Sequence, residues 1–329
     1  MGPRLSQPKK HHRVPRTYLA NFCGSDGRLW IYDTRGDEPR SNIPENEAVE
    51  TDLYSVIRKD GTRDTQIEEG LAQIEDVGAP VLQKVIGGAM LEDQDRFDMS
   101  ALLASIHLRS DTMRQQFADF EGRTLALAGK MLVSHDGAWE SYVKHQAKRG
   151  KTLTDQDRRR QSEFINDPSR YEIHLRKDGL MVPLGTISTV AKLLYRMNWT
   201  IMTAPQGEFF VTSDNPAVLF ITGPEGKSFY RGGFGSKGAE FTVPLSPTKL
   251  LLAHWIDDVA AEHPCDRETV RRLNRMRAAY AEHAIYADRK SDGLWRLAQK
   301  EIRDREPEED DELRVRMVRP SKAKTRRFT

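Results

Sequence analysis

The sequence predicts an α+β fold: a mostly antiparallel sheet with a helical hairpin packed beside it, in a single domain followed by a disordered charged tail. Three observations carry this. Apolar residues recur at helical spacing through the middle of the chain, from Ile67 to Met197. From Trp199 onward the pattern shortens to brief strand-like runs rich in Val, Ile, Phe and Thr. Those runs are joined by the turn sequences Pro205-Gln206-Gly207, Asp214-Asn215-Pro216 and Ser246-Pro247, as meander connections are. Helices gathered in one region and strands in another argue for α+β rather than alternating α/β.

In chain order, residues 1–10 read as a flexible basic arm. Pro15 pushes Val14 out of helical space, and Arg16 to Phe22 forms a short helix that turns Tyr18, Leu19 and Phe22 inward. Gly24-Ser25-Asp26-Gly27 turns into a strand over 28–33, and a second strand over 52–57 is closed by Lys59-Asp60-Gly61. A helix capped by Asp64 or Thr65 runs from Gln66 to about Ile86 and presents Ile67, Leu71, Ile74, Val81 and Val85, with Gly78 and Pro80 as points where it would kink or break. The next helix runs from about Gln94 into the 120s on the stripe Leu102, Ile106, Met113, Phe117 and Phe120. Arg109 fills the gap in that stripe. A guanidinium there is costly unless a carboxylate meets it, and antiparallel packing of the two helices would supply Glu68, Glu69 or Glu75. Residues 144–170 are a polar excursion containing Arg158-Arg159-Arg160. A short strand over 171–175 and a helix from Thr186 or Ser188 to Met197 lead into the strand-rich part. There Asp266 or Thr269 opens a basic helix to about Ala281, and 284–287 returns as a strand. The domain is thus 11–290, with a helical centre at 66–197 and a strand-rich part at 199–287, and the tail is 291–329.

Composition narrows the class of protein. The 329 residues are 38% hydrophobic and 30% charged, with a net charge of +2, which describes a globular chain with a heavily charged surface. No apolar run approaches the roughly 18 residues needed to span a bilayer, and the basic first twenty residues lack the hydrophobic stretch of a secretory signal. Two cysteines, Cys23 and Cys265, make no disulfide framework, so a cytoplasmic protein with reduced thiols is expected. Charge is concentrated at the ends. The first twenty residues hold five Lys/Arg and no acid, and seven acids over 304–312 are followed by seven Lys/Arg and no acid from Leu313 to the end. Such basic segments can neutralise phosphates, making nucleic acid a candidate partner.

The densest chemistry lies in His11-His12-Arg13-Val14-Pro15-Arg16-Thr17-Tyr18-Leu19-Ala20-Asn21-Phe22. Imidazole titrates near neutral pH and ligates metals. Adjacent residues of an extended segment point to opposite sides, so one histidine at most faces a shared site, and His12 is the candidate. Glu68 and Glu75 lie seven apart on the flank of their helix, beside small residues that leave room for an approaching group. Asp214, at a strand end in Thr212-Ser213-Asp214-Asn215-Pro216, is placed to act as a base or ligand, and equally to make an Asx-turn. Ser213 lacks the Gly-x-Ser-x-Gly elbow of a nucleophile. Walker, dinucleotide, Cys-x-x-Cys and His-Glu-x-x-His motifs are all absent from the sequence.

His12-x-x-Pro15-x-x-Tyr18-Leu19-x-x-Phe22, then Gly27-x-Leu29-x-x-Tyr32, and later Phe210-Val-Thr212-Ser213-Asp214-Asn215-Pro216 resemble the uncharacterised family catalogued as domain of unknown function 4238. The helix carrying Glu69 to Glu75, the Arg109 helix, Pro244-Leu245-Ser246-Pro247 and Leu273-Asn274 follow in the same order, so the resemblance covers roughly residues 9 to 290. It implies boundaries and a choice of residues but no reaction.

Two functions are expected from different classes. In the first, His12, Glu68 or Glu75, Arg109 and Asp214 form a hydrolase site for a phosphoester. The carboxylates and His12 would hold Mg²⁺ or Mn²⁺, which would acidify a bound water, and Arg109 would stabilise developing negative charge. In the second, the polar cluster is structural and the protein is a non-catalytic binding or scaffold protein whose basic termini engage nucleic acid or an acidic partner. One open cleft holding the four groups would favour the enzyme. Groups occupied with one another below the surface would favour the scaffold.

Overall fold

The computed structural model describes residues 10–51, 56–57, 63–176, 184–221, 232–304 and 314–318. The fold is α+β, with mostly antiparallel sheets. The chain divides into two compact units, Met1–Met113 with Pro183–Glu306, and Arg114–Val182 with Pro307–Thr329.

The first unit opens on strand β1 (Lys10–His12), which pairs antiparallel with β4 (Val49–Thr51), His12 lying opposite Val49. Pro15 then stops the strand and starts helix α1 (Arg16–Leu19), whose Tyr18 and Leu19 are buried, as is Phe22 just beyond. Strands β2 (Leu29–Asp33) and β3 (Arg40–Asn42) form a hairpin, and a two-residue pair, β5 (Val56–Ile57) with β6 (Arg63–Asp64), precedes the helices. The strand predicted over 52–57 is described only at Val56–Ile57. Its other residues and the turn at 59–61 lie outside the described residues.

Helices α2 (Gln66–Ile86) and α3 (Asp93–Leu108) make the expected hairpin. Helix α2 passes through Gly78 and Pro80 without interruption. Gly78 has a packing reason: a Cβ there would lie 2.7 Å from Leu102 Cβ, so the two helices meet across a missing side chain. The sequence predicts one helix from 94 into the 120s, whereas the structure has two. Helix α3 ends at Leu108, and Ser110 accepts the Met113 amide at 3.2 Å as the N-cap of α4 (Asp111–Ser134). Ser-Asp at 110–111 is a helix-start signal that the apolar spacing overrode. Phe120 is accordingly not core; it is 69% exposed.

After α4 come α5 (Asp136–Ala147) and α6 (Asp155–Ile165), and the second unit ends in a parallel pair, β7 (Glu172–Arg176) with β15 (Arg314–Val318). The polar excursion of 144–170 is therefore largely helical, with α6 started by a Thr154/Asp157 capping box. Arg158 reaches back to the Val133 carbonyl and to Asp136.

Helix α7 (Ile187–Arg196) packs on α3 and returns the chain to the first unit. Strands β8 (Asn198–Thr203), β10 (Val218–Ile221), β11 (Ala239–Pro244), β12 (Lys249–His254) and β13 (Glu262–Pro264) make a five-stranded sheet in the order β10-β11-β12-β8-β13. All its pairs are antiparallel except β8 with β13. Of the strand-like run over 208–213, only β9 (Thr212–Ser213) is a strand, and it joins a second, antiparallel sheet in the order β3-β2-β14-β9, where β14 is Ala284–Ala287. Helix α8 (Arg267–Tyr280), capped by Asp266, packs against β9 and β14. Helix α9 (Asp292–Ala298) continues as a π-turn over Gln299–Arg303. Leu294, Ala298 and Ile302 are buried against Tyr32, Ala278 and Ile285. Order thus extends past 291 to Arg303 because these residues bury an apolar face.

Gly78→Ala is expected to lower the melting temperature, at a cost of about 1–3 kcal/mol from overpacking on Leu102. Gly70→Ala, in the same helix with nothing within 4 Å of the added methyl, should be neutral or stabilising by about 0.5–1 kcal/mol. Parallel thermal melts of the two variants check this.

Candidate functional site

Two polar groups gather where β1 and its loop meet the helices and the 280–284 turn. The first contains four of the five predicted site residues. Arg109, the C-cap of α3 and 2% exposed, donates from Nη1 to Glu75 Oε1 at 2.7 Å and from Nε to the Ser105 carbonyl at 3.2 Å. The guanidinium on the apolar stripe is thus met by a carboxylate one helix away. Glu68 pairs with His11, whose Nε2 lies 2.6 Å from Glu68 Oε1, so the neighbouring imidazole and not His12 takes that carboxylate. His12 is half-buried, and its Nδ1 is enclosed without a hydrogen-bond partner. Burial lowers its pKa from the usual histidine value, opposed by a contact with the Glu47 backbone and by the Glu75 charge, and reinforced by Arg16 and Arg109. At neutral pH this is a neutral ring beside a carboxylate–guanidinium pair.

Asp214 belongs to the second group. Its Oδ1 accepts the Glu282 amide at 2.9 Å, and its Oδ2 accepts those of His283 at 2.8 Å and Ala284 at 3.2 Å. The carboxylate, 5% exposed, therefore pins three successive backbone N–H groups at the entry to β14. Burial raises its pKa, while the amides of Glu282 and His283 and the charge of Arg13 pull it back. Asn215 continues the clamp, donating to the Tyr280 carbonyl at 3.0 Å and to Thr112 Oγ1 at 3.2 Å. Glu282 accepts the Thr112 amide at 2.6 Å, which places a carboxylate at the start of α4 where the helix dipole favours it. Arg13 completes the group, paired with Asp111 and lying 3.8 Å from Glu282. Burial, and then the charge of Asp214, push the Glu282 carboxyl up to about 7.

Glu75 and Glu68 are engaged with Arg109 and His11, and Asp214 with backbone. Among the described residues no three His, Cys, Asp or Glu side chains stand where they could hold one ion. Sequence reasoning missed Arg13, Asp111, Glu282 and His283. Arg13 sits inside the flagged motif, but nothing local predicts that Glu282 returns to it across most of the chain.

A match to the family described as protein of unknown function (DUF4238) covers residues 10–291. The chain belongs to this family. The match takes in both polar groups, from His11, His12 and Arg13 to Glu282 and His283. No curated protein and no solved structure matches the chain. Among the described residues no helix is long and apolar enough to cross a membrane.

The raised Glu282 carboxyl makes a pH prediction. Its folded pKa of about 7 lies above the ordinary 4.5, so its favourable contribution is complete below pH 4.5 and is lost as pH rises through 7. Glu282→Gln keeps an acceptor for the Thr112 amide but cannot ionise. It should melt higher than wild type at pH 8, by on the order of 2 kcal/mol, and close to wild type at pH 5. Equal offsets at both pH values would contradict the assignment.

Proposed function

We propose that this protein is a non-catalytic binding protein for nucleic acid, engaged through its basic termini, with the His/Glu/Arg/Asp cluster serving the fold. One observation carries the structural half: Asp214, the best-placed candidate base, has its carboxylate consumed by three backbone amides. A general base or metal ligand needs a free lone pair directed at substrate or ion, and three of the roughly four acceptor sites of this carboxylate are turned to the backbone. Charge distribution supports the binding half, since seven Lys/Arg and no acid follow residue 312. Exposed Arg267, Arg271 and Arg275 on α8 add basic surface, though they are partly matched by Glu208 and Glu301.

A second reading, phosphoester hydrolysis around His12, rests on a different observation. The unpartnered Nδ1 of His12 lies on a neutral ring influenced by both Glu75 and Arg109, a combination able to accept a proton and hold an anion. It keeps His12, Arg109 and Glu75 in reacting roles, and Asp214 only as support.

Fluorescence anisotropy with short DNA and RNA duplexes and single strands decides between them. The binding reading predicts association that weakens about tenfold or more between 50 and 200 mM salt, as counterion release requires. Truncation after Val318, which removes five Lys/Arg, should weaken it further. Binding by an acidic peptide but by no nucleic acid would assign the termini to a protein partner. Cleavage of the labelled strand, abolished by His12→Ala with an unchanged melt, would overturn the non-catalytic reading in favour of the second.

A further inference from the structure

Helix α8 turns a row of arginines outward. Arg267, Arg271 and Arg275 stand four residues apart, so they share one stripe about 12 Å long. Each of these side chains is at least 65% exposed, whereas the carboxylates that pair with them, Glu208 and Glu301, are at most 19% exposed. The acids hold the arginines from beneath, and the layer that meets solvent is cationic.

Beside this row a planar cation is already held in place. Phe209 follows Glu208, and its backbone is fastened to α8 by Asn274. That side chain donates from Nδ2 to the Phe209 carbonyl at 2.7 Å and accepts the Val211 amide at 3.0 Å. The Arg289 guanidinium lies over the Phe209 ring, 4.5 Å from its centre. Asp288 grips its edge through two hydrogen bonds of 2.8 Å. The backbone is fixed as well: the Tyr32 hydroxyl donates to the Arg289 carbonyl at 2.8 Å and accepts the Ser291 amide at 2.7 Å. Arg289 is nonetheless 55% exposed. A ring on one side and a carboxylate along one edge leave the other side of the guanidinium plane to solvent. Next in the chain, exposed Lys290 lies over half-buried Trp30, 5.4 Å from its ring centre.

We propose that this face is a binding surface for single-stranded nucleic acid, with a base stacking on the Arg289–Phe209 platform and phosphates meeting Arg267, Arg271 and Arg275. This role rests on the nucleic-acid reading above, to which it adds a strand state and a place on the fold. Cations alone would suit a duplex or an acidic peptide as well as a single strand. The platform decides between them. Bases in a duplex are stacked on one another, so only an unpaired base can lie on a guanidinium plane, and a peptide carboxylate has no such ring. Asp288 already takes two donors of Arg289, which suits that residue to stacking rather than to forked recognition of a phosphate.

The test is anisotropy of the full-length protein with labelled oligothymidine of about 16 nucleotides, its abasic counterpart and a duplex of the same length. Oligothymidine should bind tightest. Arg289→Lys keeps the charge but loses the plane; it should weaken oligothymidine about fivefold or more and leave the abasic strand and the duplex unchanged. The pair Arg271→Gln and Arg275→Gln should weaken all three probes and lower the log–log salt slope for the single strand by about 1.4. Thermal melts close to wild type show that the variants are folded. Equal weakening of all three probes by Arg289→Lys, or a duplex bound as tightly as the single strand, would overturn the platform. Binding that is lost on truncation after Val318 but indifferent to every α8 and Arg289 variant would exclude this face and leave the termini acting alone. If the wild type binds none of the probes, this role and the nucleic-acid reading fall together.

Discussion

One carboxylate holding three consecutive backbone amides is the constraint on which the centre of this fold depends. Asp214 leaves β9 and reaches the 282–284 segment just as that segment becomes β14. β14 is an interior strand of its sheet, paired on one side with β2 and on the other with β9. Fixing its first residues therefore fixes the register of Ile285 with Tyr32 and with Ser213. The same turn carries Glu282 to the start of α4 and meets Arg13 from the N-terminal motif. Residues remote in sequence are thus tied to one short stretch of backbone. Buried amides would otherwise lack acceptors, and a charged acceptor satisfies them more strongly than a neutral one.

Removing the candidate groups from solvent changes what they can do. Arg109 and Glu75 satisfy each other, and the pair relieves what would be the cost of a guanidinium between helices. His12 differs because its ring retains unused hydrogen-bonding capacity. The structural and functional readings therefore part at that residue, while the Asp214 carboxylate accepts three backbone amides. The buried Arg277 donates to the Thr242 carbonyl and to Thr242 Oγ1, and among the described residues no carboxylate pairs with it.

Much of the architecture was legible because it rests on local rules. Helical spacing located α2 and α7, and an arginine on an apolar stripe announced a carboxylate across the hairpin. Of the turns read as meander connections, Ser246-Pro247 joins the paired β11 and β12, whereas 205–207 and 214–216 carry the chain between the two sheets. The family was legible from the His12–Phe22 and Phe210–Pro216 motifs, and the match over 10–291 bears this out. What failed was decided by competition or distance. Ser110 and Asp111 restart the helix where apolar spacing alone predicted continuity, because a capped N-terminus satisfies the amide of Met113. The helix beyond 291 was hidden by the charge that surrounds its apolar face of Leu294, Ala298 and Ile302. The partners of Asp214 were invisible because backbone amides carry no sequence signal, and those of Arg13, Asp111 and Glu282, because they lie far along the chain.

Amide hydrogen exchange of the Asp214→Asn variant, read residue by residue, tests the structural assignment most directly. If the carboxylate is the clamp, the amides of Glu282, His283 and Ala284 lose protection together, and global stability falls by about 2 kcal/mol or more. Retained protection at all three amides with an unchanged melt would contradict it, and would return Asp214 to the list of residues available for chemistry.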